Sequence, residues 1–161
     1  MIDKNKPLED YTKEELLDAL NSKKELDSYY ILNLVFEENK KSNKYYFYFE
    51  DFLKMIYSKT SFGRMRGFSL CASLAKYDIQ NKIDNHLNDM LILLEDNKPT
   101  TVRIVLSSIV DILKYKPYLS NVIKDNLNRI NLDLYKDSMR PLIIKDINKV
   151  KEIIEAIGKE K

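Results

Sequence analysis

Three arginines, Arg66, Arg103 and Arg140, stand 37 residues apart, twice over, and their surroundings recur with them. Each follows an apolar residue (Met65, Val102, Met139), and two positions on come Phe68, Val105 and Leu142. Upstream, Leu53, Met90 and Leu127 fall into the same register, as do Ile56, Leu93 and Ile130. Thr101 aligns with Ser138, both residue types that cap helices. A unit of this length cannot bury its own apolar face, so such units stack and share one continuous core. One period further back, Leu16 lies under Leu53, Ile31 under Phe68, and Tyr29 replaces the arginine. That is the pattern of a degenerate first unit, as expected for a cap with one face to solvent.

Within each unit the apolar residues recur at helical spacing. Thr12-Lys13-Glu14-Glu15 has the form of a capping box, and Leu16, Leu17 and Leu20 continue it as a helix over about 13–22. A second helix carries Leu26 to Phe36 and ends near Asn39. Tyr45–Tyr57 begins with strand-like YYFYF, but Phe49, Phe52, Leu53 and Ile56 recur at i, i+3, i+4, i+7, so the whole segment is expected to be helix. Ser61 is placed to cap the next helix. Further stripes run through Ile83–Leu94, Val102–Leu113, Leu119–Ile130 and Leu142–Ile154, the last opening at Ser138 and ending near Gly158. Short breaks force neighbouring helices to pack antiparallel, as hairpins. The expectation is one all-α domain over 1–161, with a degenerate unit at about 11–40 and units at about 45–77, 82–115 and 118–157.

Composition agrees. Three glycines and four prolines are too few for the turns of an all-β domain. At 44% hydrophobic and 32% charged, the chain is globular. Its net charge of +2 predicts no strong whole-molecule attraction to nucleic acid or anionic lipid. The balance is uneven: residues 1–44 sum to −2 and residues 99–161 to +4. No apolar run approaches the ~18 residues of a membrane span, and MIDKNKPLED lacks the apolar core of a secretory signal. One cysteine, Cys71, excludes an internal disulfide, and a reducing, cytoplasmic setting is expected.

With the register fixed, a resemblance emerges. A two-helix unit with an arginine early in its second helix resembles HEAT repeats, whose length is about 40–47 residues. Asn81–Asp84 (NKID), Lys98–Val102 (KPTTV), Tyr115–Leu119 (YKPYL) and Tyr135–Asp146 (YKDSMRPLIIKD) resemble small helical-repeat proteins of Gram-positive bacteria, some of them called SufBD proteins. The similarity spans about Tyr45 to Ile154. It implies a right-handed α–α superhelix, a HEAT-like or armadillo-type solenoid of about four hairpins, with the second helices lining the concave side. The chain departs from regular HEAT units in one respect. Thr60, Asn97 and Leu134, six residues before each arginine, are not the aspartate usual between the two helices. One cysteine and one histidine are too few ligands for an iron–sulfur cluster, and no cofactor is expected.

Among individual residues, Arg66, Arg103 and Arg140 fit two roles. They could form a row of guanidinium forks for an acidic peptide or phosphates, or be struts between units; the strut role is favoured, and Asp137 is placed to pair with Arg140. The seven aromatics between Tyr45 and Tyr57 exceed one buried face, and burial between the first two units is the favoured reading. Cys71 and His86 read as packing residues. There is no phosphate-binding glycine loop, H-E-x-x-H or G-x-S-x-G. The expectation is a non-enzymatic scaffold for a protein or peptide partner. The alternative is nucleic-acid binding through a basic face of Arg66, Arg103, Arg140, Lys136 and Lys145, with Tyr115 and Tyr118 stacking on bases. Self-association through open solenoid ends is a third possibility.

Overall fold

The computed structural model describes residues 3–22 and 24–160, and among these every regular element is helical. Helix α1 (Lys13–Leu20) starts where Thr12 Oγ1 accepts the Glu15 amide at 3.1 Å. It ends two residues short of the expected limit. Helix α2 (Glu25–Lys41) is followed by an aromatic segment that is only partly α-helical. Tyr46–Tyr48 and Met55–Tyr57 are 3-10 turns flanking a six-residue α3 (Phe49–Lys54). The single helix expected over 45–57 is therefore a helical run in three pieces. Then come α4 (Ser61–Ser73), α5 (Lys82–Met90), α6 (Pro99–Tyr115), α7 (Ser120–Leu127) and α8 (Arg140–Lys159).

The caps differ from expectation in three places. Thr60, not Ser61, caps α4, accepting the Gly63 amide at 3.2 Å. Thr101 lies fully buried inside α6, whose first residue is Pro99, a position that needs no amide hydrogen. Ahead of it Asp96 Oδ1 accepts the Lys98 amide at 2.9 Å. Ser138 precedes α8 by two residues.

Helix α4 packs against α2 on one side and α6 on the other, and α6 packs against α8. Helices α1, α3 and α7 each pack on the helix that follows, and α5 reaches α6 through the 3-10 turn Leu91–Glu95. One apolar cluster runs from Leu16 to Ile154 through all eight helices. Gly67 sets the closest approach. A Cβ there would lie 2.6 Å from Met55 Cβ and 2.7 Å from the Phe52 carbonyl oxygen, so only glycine lets α4 lie against α3 and its following turn.

Aligned positions are buried alike in the middle units: Phe68 and Val105 are both inaccessible. Leu142, their counterpart, is exposed, and its neighbour Ile143 takes the buried place. The starts of α4, α6 and α8, at Ser61, Pro99 and Arg140, lie 38 and 41 residues apart. The register carries no inserted residue, since the three arginines stay 37 apart; α8 begins later within it, after the 3-10 turn Leu132–Leu134 and the link to Arg140.

Candidate binding groove

Helices α2, α4 and α6 run the same way, because each is separated from the next by a returning segment. Their exposed faces enclose an open groove. One stretch, of about 550 Å³, lies towards the helix N-termini and is lined by Leu26, Tyr29, Leu32, Phe36, Met65 and Ile104 among others. The other, of about 660 Å³, lies towards the C-termini and is lined mainly by polar and charged residues, with Phe36, Ala72, Ile104 and Tyr115 among them. The two share Asn33, Phe36, Ser69 and Ile104, so they form one trough. Leu26 and Tyr29 are left well exposed at its apolar end.

The trough floor is built from small polar residues that tie the helices together. Ser69 and Ser108 share a hydrogen bond of 2.9 Å between α4 and α6, and Ser108 Oγ donates to the Ile104 carbonyl at 2.8 Å. Asn39 Nδ2, on α2, donates to Ser73 Oγ at 2.8 Å, and Ser73 donates to the Leu70 carbonyl at 2.7 Å. Asn39 is buried, and its Oδ1 accepts no hydrogen bond among the described residues. Small side chains here keep the trough open, since longer ones would fill it. At the polar end Lys40 pairs with Glu37 at 2.8 Å, while Lys76, Lys114 and Asp111 face the opening. Burial pushes the Asp111 carboxyl up from its ordinary value, with Lys114 and Lys40 pulling the other way.

The three repeated arginines have three different sets of partners. Arg66 is buried, its Nη1 donating to the Leu20 carbonyl at the end of α1 at 3.1 Å, with its guanidinium over the Phe62 ring. That places a cation at the negative end of a helix. Arg103 reaches forward to α8, Nε to Asp146 Oδ2 at 2.7 Å. Arg140 folds back on the preceding loop, Nε donating to the Leu132 and Tyr135 carbonyls at 3.0 and 2.9 Å, and it pairs with Asp137 at 3.1 Å. The arginines thus hold neighbouring segments and do not converge on one ligand position. Lys136 and Lys145 are exposed on the last unit. Tyr115 lines the polar end of the trough. Tyr118 lies outside it, its hydroxyl donating to Asp84 Oδ2 at 2.6 Å.

The aromatic segment divides. Tyr45, Tyr46, Phe49 and Phe52 are buried, Tyr48 is half-buried, and Phe47 and Tyr57 face solvent. Cys71 is fully buried, which pushes its thiol well up, away from the reactive thiolate. His86 is half-buried. No cluster of three or more metal-ligating groups occurs among the described residues.

Two polar nodes escape sequence reasoning. Asp96 accepts Nε of Arg64 at 2.6 Å and Nη2 at 3.2 Å, while its carbonyl accepts the Tyr135 hydroxyl. The aspartate sought at Asn97 is thus one position earlier and serves Arg64, not Arg66. Asp78, buried, accepts the Lys82 and Ile83 amides at 2.8 Å each, the Tyr46 hydroxyl, and Lys116 Nζ at 3.2 Å. Lys116 also donates to Asp84 Oδ1 at 2.6 Å. The available signal was an aspartate shortly before each helix, Asp78 before α5 and Asp96 before α6.

No protein-family model, curated protein or solved structure matches the chain.

Proposed function

We propose that the chain is a HEAT-like helical-repeat scaffold of four hairpins, and that it binds, without catalysing a reaction, a peptide segment of a protein partner in the trough across α2, α4 and α6. The observation that carries this reading is the trough itself. It is open along its length, apolar at one end and polar at the other, and has a floor of serines and asparagine kept short by the ties between helices. Each of its two stretches is in the range of ligand sites, about 300–1,000 Å³. The mode it suits is a segment with apolar anchors laid into a groove. Mixed charge at the polar end, Glu37 and Asp111 beside Lys40, Lys76 and Lys114, favours a peptide over a polyanion. The succession α2–α4–α6–α8 supports the solenoid, and one buried, unpaired cysteine suits a reducing compartment such as the cytoplasm.

The test is selection from a random peptide library displayed on phage, followed by binding of enriched synthetic peptides to the chain and to an Ile104→Arg variant. Ile104 is partly exposed in the trough, so the variant folds while its side chain occupies the site. Enriched peptides that lose at least about tenfold in affinity on the variant, or 1.4 kcal/mol, support the reading. Failure to enrich any peptide, or equal binding to both proteins, overturns it.

A further inference from the structure

The three loops that follow α2, α4 and α6 stand side by side, because one chain of hydrogen bonds crosses them. Tyr46, after the first loop, donates its hydroxyl proton to Asp78 in the second and accepts the Gln80 amide at 3.2 Å. Lys116, in the third, reaches back to Asp78 and to Asn81 Oδ1 at 3.3 Å. Asn81 holds a left-handed backbone with φ of 54°, which turns the second loop into α5. The result is a rigid ridge along one edge of the molecule.

Each segment of the ridge presents an apolar or aromatic side chain to solvent: Phe47 is 88% exposed, Ile79 82% and Tyr118 60%. Phe47 and Ile79 are exposed over more than four-fifths of their surface, while Tyr118 keeps its hydroxyl on Asp84.

Charge accompanies them. Lys41 and Lys114 end α2 and α6, and Lys76 follows α4, and none of the three forms an ion pair among the described residues. Of the carboxylates near these loops, Asp78 and Asp84 hold Lys116 and Glu50 holds Lys82 at 2.8 Å, while Asp111 lies within electrostatic reach of Lys114. The C-terminal helix ends take up roughly half a charge each. Lys41, Lys76 and Lys114 are themselves solvent-exposed.

We propose that this ridge docks on an anionic lipid surface, with Phe47 and Ile79 entering the headgroup layer, Tyr118 at its boundary, and Lys41, Lys76 and Lys114 against the acidic headgroups. A bilayer takes separate protruding side chains without a matching pocket, which a protein partner would have to supply. Lysine stems lie along the apolar layer while their ammonium groups reach the phosphates. The attraction is local, acting within about a Debye length of ~8–10 Å, so the near-neutral whole chain does not oppose it. No helix among the described residues is long and apolar enough to cross a membrane, and the docking is peripheral. The ridge shares Lys76 and Lys114 with the polar end of the trough but uses none of its apolar lining.

The test is co-sedimentation of the full chain with vesicles of phosphatidylcholine alone and with vesicles that also contain phosphatidylserine. Binding is expected to the second and not the first, and to weaken as salt rises. The Phe47→Ala/Ile79→Ala double variant should bind at least about tenfold more weakly, and Lys76→Gln/Lys114→Gln should lose binding to phosphatidylserine vesicles. The trough variant Ile104→Arg should bind vesicles as the unaltered chain does. Circular dichroism checks that each variant is folded. No binding to phosphatidylserine vesicles at low salt, equal binding to both vesicle types, or an unchanged double variant overturns the proposal.

Discussion

Arg64 and Asp96, 32 residues apart in sequence, meet in a two-pronged ion pair at 2.6 and 3.2 Å, with Asp96 almost wholly out of solvent. The pair joins the start of α4 to the loop before α6. Removing one member of a buried pair leaves the other charge uncompensated, at a cost of about 3–5 kcal/mol. Asp96→Ala should therefore destabilise the chain by about 3 kcal/mol in urea unfolding. A change within the roughly ±0.5 kcal/mol typical of neutral surface substitutions would show the pair to be incidental.

Lys116 and Asp84 set a pH dependence. Burial lowers the Lys116 pKa, but hydrogen bonds to Asp84, Tyr118 and Asp78 outweigh it, and the net shift is upward. Burial raises the Asp84 pKa, but hydrogen bonds from Lys116 and Tyr118 outweigh it, and the net shift is downward. The Asp84 contribution is complete above the ordinary carboxylate value of about 3.9 and is lost as pH falls through the lower folded value. The Lys116 contribution is complete below the ordinary lysine value of about 10.4 and is lost as pH rises through the higher folded one. Lys116→Met should cost about 3 kcal/mol near neutrality, because Asp78 and Asp84 lose their cation. It should also flatten the acid limb of a melting-temperature profile. An unchanged acid limb would remove Asp84 from this account.

Gly67→Ala weighs two opposing effects. Alanine favours the helix by about 1 kcal/mol. The clash with Met55 and the Phe52 carbonyl requires a backbone shift, which costs about 1–3 kcal/mol. The balance is a net destabilisation of up to roughly 2 kcal/mol, read by differential scanning calorimetry or urea titration. A stabilised variant would mean that α3 and α4 can separate without loss.

Alanine at the three repeated arginines should give unequal losses. Arg66→Ala leaves the Leu20 carbonyl without its donor in a buried place and should cost about 2–3 kcal/mol. Arg103→Ala removes a partly exposed pair and should cost about 1 kcal/mol or less. Arg140→Ala frees the loop ahead of α8 and should fall between them. Equal losses at all three sites in chemical denaturation would contradict their different surroundings.

The helices were readable because apolar spacing is local: a stripe such as Ile83, Leu87 and Met90 needs only a few consecutive turns. Boundaries were less readable. Thr60 and Ser61 are adjacent hydroxyl residues, and which one accepts the Gly63 amide depends on backbone geometry that sequence does not carry. Tyr45–Tyr57 has the spacing of one helix, yet both its ends are 3-10 turns, at Tyr46, bonded to Asp78, and at Met55, which lies against Gly67. The trough was not readable at all. Asn33, Ser69 and Ile104 come from three helices, and only their assembly reveals that short side chains face one another. Arg64–Asp96 was missed for the same reason, the partners lying about one unit apart.

Asp96 has a further consequence. Its carboxylate faces backward to Arg64 and its carbonyl forward to Tyr135. Pulled from its C-terminal end, the chain would shed α7 and α8 by breaking the Tyr135 bond together with the Arg103–Asp146 and Arg129–Glu95 pairs, while the two-pronged grip on Arg64 still holds the joint behind it. Mechanical dismantling from that end would release this last segment before α4 and the loop ahead of α6 part.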